Sequence, residues 1–379
     1  MKYFKNHIVV TTIFVPYVLK NIYDNLNKYG HLDSTFIWVI SDKKTPKESK
    51  YFCESFIKNG LNIKYLDIDE QDLWGKKYPY FYSIIPYNNE TRRNIGYLCA
   101  LEQGCEILIS IDDDNYPTND DFIGLHEKTG QNHNGDLVFS NIGFYNICDN
   151  LKMSHNKNVY SRGFPFKLRG VETPIKIYKT TTNSKIGVTT GLWTKSPDVD
   201  AITWLNGCVE SLEYFPSKNI ILDHKTWCTI NTQNTSVIRE LVPAFFCIPM
   251  GYSSNGVTIE RYGDILAGYF LQLVMEHTDF YVNIGRPIVE HRRNSHNYIN
   301  DLRIEYWGMM IVDWVIDILK NDINIKSTNI YDIMIEISDY IYMIATNTPP
   351  EWVPLEIINF LKNISKAIKE WIKICQKII

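Results

Sequence analysis

Apolar positions in the first third of the chain fall into short runs separated by amphipathic stretches. Residues 7–14, 36–41 and 62–68 are rich in Ile, Val and aromatic residues and read as strands. Between them, residues 17–29 and 47–59 repeat at helical spacing and end at Gly30 and Gly60. A third helix is predicted over 89–103, closed by Gly104, and the run Ile107-Leu108-Ile109-Ser110-Ile111 reads as a buried strand. Alternation of this kind predicts an α/β fold: a mixed, mainly parallel sheet with flanking helices.

From about residue 136 to 247 the pattern changes to short strands with Gly and Pro punctuation. Residues 257–277 return to helix, with Ile265, Leu266, Phe270, Leu273 and Val274 on one face. A short strand over 281–284 and a polar, basic loop over 286–297 follow. Beyond Tyr298 three helical segments are predicted, broken near 321–328 and at Pro349-Pro350. The expected organisation is one α/β domain over 1–297 and a helical region over 298–379. The last helix is amphipathic: Ile357, Phe360, Leu361, Ile364, Ile368, Trp371 and Ile372 share one side, and lysines lie largely on the other. Such a stripe packs on the body or on a second copy, which makes a homo-oligomer through these helices a candidate. Its basic face leaves peripheral membrane contact open.

Composition narrows the functional classes. With 379 residues, 45% of them hydrophobic, the chain is long enough for a full core. A net charge of −4 gives no general electrostatic case for nucleic-acid binding. The eight cysteines show no paired C-x-x-C spacing, which fits reduced thiols rather than disulfides or a zinc site. No window approaches the roughly 18 apolar residues of a membrane span. The N-terminal apolar stretch is broken by Thr11, Thr12 and Pro16, unlike a signal peptide. The expected location is therefore cytoplasmic, with any membrane contact peripheral.

Chemistry concentrates at Asp112, Asp113 and Asp114, directly after the buried strand. Open α/β sheets bind ligands at the carboxyl ends of their strands. Three adjacent carboxylates repel one another, and a hard divalent cation, Mn²⁺ or Mg²⁺, relieves the repulsion. Alternation puts Asp112 and Asp114 on one side, as a D-x-D pair, with Asp113 turned away. A calcium loop is disfavoured because Asn115-Tyr116-Pro117 lacks the alternating ligands and glycine it needs. A cation held there also grips a diphosphate, which points to a nucleotide sugar. Asp42, ending the second strand, suits base or ribose recognition.

The blocks SIDDD, SRGFPFKLRG, GLWTKSPDVDAITWL and ERYGDILAG occur in that order. Together they resemble the reversibly glycosylated polypeptides, the plant UDP-arabinopyranose mutases, over about residues 91–291. The resemblance implies a GT-A type, Rossmann-like fold, a divalent metal, a UDP-sugar and transient glycosylation of the protein itself. It assigns Asp112, Asp113 and Asp114 to metal and nucleotide. It places Arg162 on the family's glycosylated arginine, although a protonated guanidinium is a poor nucleophile and pairs more naturally with a departing diphosphate. A structural salt bridge is the alternative for Arg162. Arg169 is a weaker companion.

Arg93, near a helix start, suits an anion. Asp198 and Asp200 match the family's PDxDA block and are candidates for sugar hydroxyls, with Trp193 and the adjoining Gly191 near the donor. Asp264 is the candidate catalytic base or acceptor-orienting carboxylate, with a helix cap as its alternative. Gly263 stands where the plant proteins carry a further Asp. His291 is the candidate third metal ligand, reinforced by Arg292 and Arg293. Thr11-Thr12-Ile13-Phe14 lacks the arginine that the plant proteins place there.

The expected function is a metal-dependent glycosyltransferase using a nucleotide-diphosphate sugar, a UDP-sugar first. Its acceptor, whether glycan, lipid-linked or protein, is open. One alternative is a pyranose/furanose mutase with transient self-glycosylation. Another is a non-catalytic nucleotide-sugar-binding or assembly partner.

Overall fold

Ile, Val and Leu occupy nearly every inner position of strands β1 (Asn6–Thr11), β2 (Thr35–Ile40), β3 (Ile63–Leu66) and β4 (Ile107–Asp112). Such strands need cover on both faces, and they pair in parallel in the order β3-β2-β1-β4. The computed structural model describes residues 2–154, 158–171, 175–179, 184–216 and 219–379. The sheet continues through β5 (Asp136–Ser140), β6 (Ile175–Lys179), β7 (Ser184–Lys195), β8 (Ile220–Leu222), β9 (Asn234–Ile238) and β10 (Phe280–His291). Its spatial order is β3-β2-β1-β4-β9-β7-β10-β8-β5-β6. Antiparallel pairs interrupt the parallel ones beyond β4, so the sheet is mixed as expected.

The first helices stand where periodicity put them: α1 (Val18–Tyr29) and α2 (Glu48–Ile57). Two further helices, α3 (Ile68–Gly75) and α4 (Pro79–Ile84), were not anticipated. The expected strand over 62–68 stops at Leu66 because Asp67 caps α3, accepting from the Glu70 amide at 3.0 Å in a reciprocal capping box. Helix α5 (Arg93–Glu102) lies tight on the sheet: a Cβ at Gly96 would fall 2.6 Å from Val9 Cγ1.

Two expectations in the second half are corrected. Residues Val257–Ile259 pair with Tyr252–Ser254 as a hairpin, and helix α6 starts only at Gly263, running Gly263–Met275. The short strand and basic loop predicted over 281–297 are largely one long strand, β10, parallel to β7. Gly285 and Pro287 read as loop residues, but β7 shifts register opposite them, and such irregularities tolerate proline.

Helices α7 (Tyr298–Ile311), α8 (Ile330–Asn347) and α9 (Leu355–Ile378) share one hydrophobic core with the sheet, from Ile8 to Cys375. The α9 stripe is spent within the chain. Trp371 is fully buried, stacks on Phe246 at 5.0 Å and donates to the Pro243 carbonyl at 2.8 Å. The stripe thus packs largely within the chain, while Lys366, Lys373 and Lys377 remain exposed. Among the described residues no helix is long and apolar enough to cross a membrane. All eight cysteines are free.

Parallel pairing aligns the carboxyl ends of three strands. Thr11 sits opposite both Ile40 and Asp112, and β10 brings His291 to the same edge beside Lys195.

Candidate functional site

A cavity of about 310 Å³ opens at this edge. Asp112, Asp113 and Asp114 line it together with Asp42, Glu90, Arg261, His291 and Arg293. Asp113, expected to turn away, lines it too because the strand ends at Asp112 and alternation stops there. The expected juxtaposition of Asp42, the aspartate cluster and His291 is therefore present.

The aspartates are held differently. Asp112 Oδ1 accepts from Arg93 Nη2 at 2.7 Å. Burial raises the Asp112 carboxyl above its ordinary range, the Arg93 cation opposing and Asp114 adding to the rise. Asp113 accepts from the Thr12 hydroxyl, and burial pushes it up to about 7. Burial acts on Asp114 too, yet His291 beside it holds this carboxyl below its ordinary value. His291 Nδ1 donates to the Ser196 carbonyl at 2.7 Å, which turns Nε2 toward Asp114 Oδ2 at 3.5 Å. Anchoring one ring nitrogen to a carbonyl is how proteins aim the other at a metal.

Asp112, Asp114 and His291, the expected metal ligands, are neighbours at this edge but do not form a ready-made three-ligand cage. Among the described residues, no group of three or more His, Cys, Asp and Glu side chains converges to hold one by itself. An ion there would need oxygens from a bound ligand, as Mg²⁺ commonly takes them from substrate phosphates.

Arg93 lines the cavity, but all five of its N–H groups are already committed. They go to Glu90 O, Ser110 Oγ, Thr232 O, Thr11 Oγ1 and Asp112 Oδ1, at 2.7 to 3.2 Å. It positions Asp112 and has no donor free for an anion. Arg293 is the opposite case. Its side chain is only 7% exposed, stacked over Trp204 and Tyr298, and its Nε and Nη2 are buried without a hydrogen-bond partner. Asp301 lies 3.7 Å away, within ion-pair range but beyond hydrogen-bond reach. Burial and the neighbouring Arg261 cation push the Arg293 pKa down. A buried cation with idle donors in a cavity wall is a site for an anion.

Six expected site residues take other places, outside the lining of the cavity. Arg162 is buried and grips two carboxylates: Asp198 through Nε and Nη2, both at 2.9 Å, and Asp264 through Nη1 and Nη2, at 3.0 and 2.8 Å. Its remaining bond goes to the Arg261 carbonyl. The salt-bridge alternative describes Arg162, and with it Asp198 and Asp264 are engaged as partners. Asp264 also accepts from the Ile265 amide at 2.9 Å. Asp200 caps the short helix Ala201–Leu205 by accepting from the Thr203 amide at 2.8 Å, and it pairs with Arg169. Trp193 is wholly buried in β7 as core, so its ring offers no platform for a sugar.

The profile of the reversibly glycosylated polypeptide family matches residues 12–378, nearly the whole chain. The chain belongs to that family. Over 242 residues it is 26% identical to UDP-arabinopyranose mutase 2 of Arabidopsis thaliana, covering 63% of this chain and 61% of that protein. The probable UDP-arabinopyranose mutase 4 of the same plant is 31% identical over 152 residues, 40% of this chain and 37% of that one. The chain thus spans about three fifths or less of the length of these relatives. Among solved structures, S. aureus TarS 1-349 in complex with UDP-GlcNAc overlays at a TM-score of 0.40 and 11% identity, covering 98% of this chain and 91% of that one. The mannosyltransferase PcManGT of Pyrobaculum calidifontis with GDP-Man and Mn²⁺ overlays at 0.37 and 8%, covering 99% and 86%.

One departure from the family has a steric cause. A Cβ at Gly263 would lie 2.3 Å from the Ile248 carbonyl oxygen, so the plant aspartate has no room here. Gly263→Ala should cost about 1–3 kcal/mol through overpacking, read as a lower urea midpoint at unchanged slope. Sequence reasoning gave no part to Arg261 or Glu90. Arg261 stood inside the matched ERYGDILAG block but draws its position from a left-handed backbone, φ +64°, that no motif announces. Glu90 carries no sequence signal at all.

Proposed function

We propose that the cavity binds a nucleotide-diphosphate sugar and that the enzyme transfers the sugar to an acceptor. The observation that carries this reading is that the aspartate cluster and Arg293, whose Nε and Nη2 lack hydrogen-bond partners, line one cavity. Asp42, at the end of β2, suits the nucleoside. It is held rigid by accepting from the Lys43 amide at 2.7 Å and the Asn89 amide at 3.3 Å. The diphosphate then lies between the aspartate cluster and Arg293. Asp112, Asp114 and His291 would hold a divalent ion, which would supply positive charge for the leaving diphosphate. Arg293 adds charge-assisted hydrogen bonds from the other side, and Arg93 keeps Asp112 in place.

A mutase reading is favoured by the plant relatives, which are UDP-arabinopyranose mutases. It shares the donor site and differs in the fate of the sugar. Transient glycosylation at Arg162 is poorly supported here, because every N–H of that guanidinium is engaged in a buried pair. Incubation with UDP-arabinopyranose and Mn²⁺ separates the readings by chromatography of the products. Slow release of UDP and free sugar without acceptor is the outcome expected of a transferase. UDP-arabinofuranose accumulating without acceptor would replace transferase by mutase, and complete inertness toward UDP-sugars would remove both.

A further inference from the structure

All but one of the carboxylates in and beside the cavity accept at least one hydrogen bond. Asp42 accepts backbone amides, Asp112 the Arg93 guanidinium, Asp113 the Thr12 hydroxyl, Asp114 the Asn115 amide, and Asp264 the Arg162 guanidinium. Glu90 is the exception. Its Oε1 is buried without a hydrogen-bond partner, the only carboxylate oxygen in that state among the described residues. The residue lines the cavity and opens the turn Glu90–Arg92 that leads into α5. Asn89 caps that turn through its side chain, accepting from the Thr91 amide at 3.0 Å, and the Glu90 carbonyl is tied to Arg93 Nε at 3.0 Å. The backbone that carries Glu90 is thus fixed from both sides. Its carboxyl is pushed above the ordinary range by burial, with Asp264 adding and the Arg93 and Arg261 cations opposing.

A buried acceptor with no partner costs free energy unless something donates to it. A phosphate, itself an acceptor anion, would be repelled. A hydroxyl would be held. We propose that Glu90 is the specificity-determining carboxylate that accepts a hydrogen bond from a hydroxyl of the donor sugar, distinct from the groups that hold nucleotide and diphosphate. This rests on the donor-site reading above.

The test is calorimetric titration of the full chain with UDP and, separately, with UDP-arabinopyranose, each with Mn²⁺. For Glu90→Ala the sugar nucleotide should bind about 10–100-fold more weakly, the usual loss for a hydrogen bond to a charged group, while UDP affinity stays within about twofold. Glu90→Gln, which keeps a carbonyl acceptor, should recover part of the loss. The melting temperature of Glu90→Ala should equal or exceed that of the wild type, because no protein contact of the buried Oε1 is lost. Equal weakening of UDP and UDP-arabinopyranose, or unchanged binding of both by the alanine variant, would overturn the assignment alone. So would a wild-type protein that binds UDP but not the sugar nucleotide. Failure of the wild type to bind UDP would overturn the donor site and the assignment together.

Discussion

Replacing Arg162 by alanine is expected to lower stability by about 3–5 kcal/mol, the usual cost of removing one partner from a buried ion pair. The variant leaves Asp198 and Asp264 buried and facing each other's vacated partner, both at most 6% exposed. Urea denaturation should show a much lower midpoint, and expression should fall with it. Arg162→Lys should recover little, since a point ammonium cannot occupy two carboxylate forks. Neutralising both partners alongside, Arg162→Met with Asp198→Asn and Asp264→Asn, should recover a good part of the loss. An Arg162→Ala protein that unfolds at the wild-type midpoint yet has lost activity would instead give Arg162 a chemical role.

Asp114→Ala is expected to do the reverse: little change in stability and a loss of Mn²⁺-dependent donor turnover of about 10²–10³-fold, the scale of removing one electrostatic contributor to a transition state. Folding should tolerate it better than loss of Asp112, because relief of repulsion on Asp112 and Asp113 offsets part of the lost contacts to His291 and Asn115. Asp112→Ala should lose similar activity but also stability, since it strands the buried Arg93 guanidinium. Turnover measured beside urea midpoints separates the two aspartates. Equal destabilisation by both would contradict their different attachments.

These contrasts mark where sequence was informative. The position of the aspartates was legible because a continuous apolar strand ends on them, and the strand period alone fixes which edge they reach. Asp42 followed from the same edge, whereas His291 came from the resemblance, its stretch reading as a loop where the structure has strand β10. The matched blocks around Arg162 and Asp198 were equally visible, but a motif does not say whether a guanidinium faces a ligand or a buried carboxylate. That depends on the Arg261 carbonyl and on α6, about a hundred residues further along the chain. Trp193 shows the same limit, since a ring on an inner strand and a ring in a cavity look alike in sequence. Glu90 and the idle donors of Arg293 are visible only by asking which buried groups lack partners. The Asp67–Glu70 capping box that starts α3 stood at its usual spacing in the sequence, yet the strand expected over 62–68 ran across it.

The most direct measurement is the affinity of UDP, with and without Mn²⁺, for the wild type and for Arg293→Met. The predicted result is Mn²⁺-dependent binding by the wild type, weakened about 10–100-fold in the variant through loss of charge-assisted hydrogen bonds. The variant's melting temperature should change little, because Asp301 keeps its contact to His296 and methionine keeps the packing on Trp204 and Tyr298. Absence of UDP binding by the wild type, or equal affinity in Arg293→Met, would contradict a diphosphate held between the aspartate cluster and Arg293.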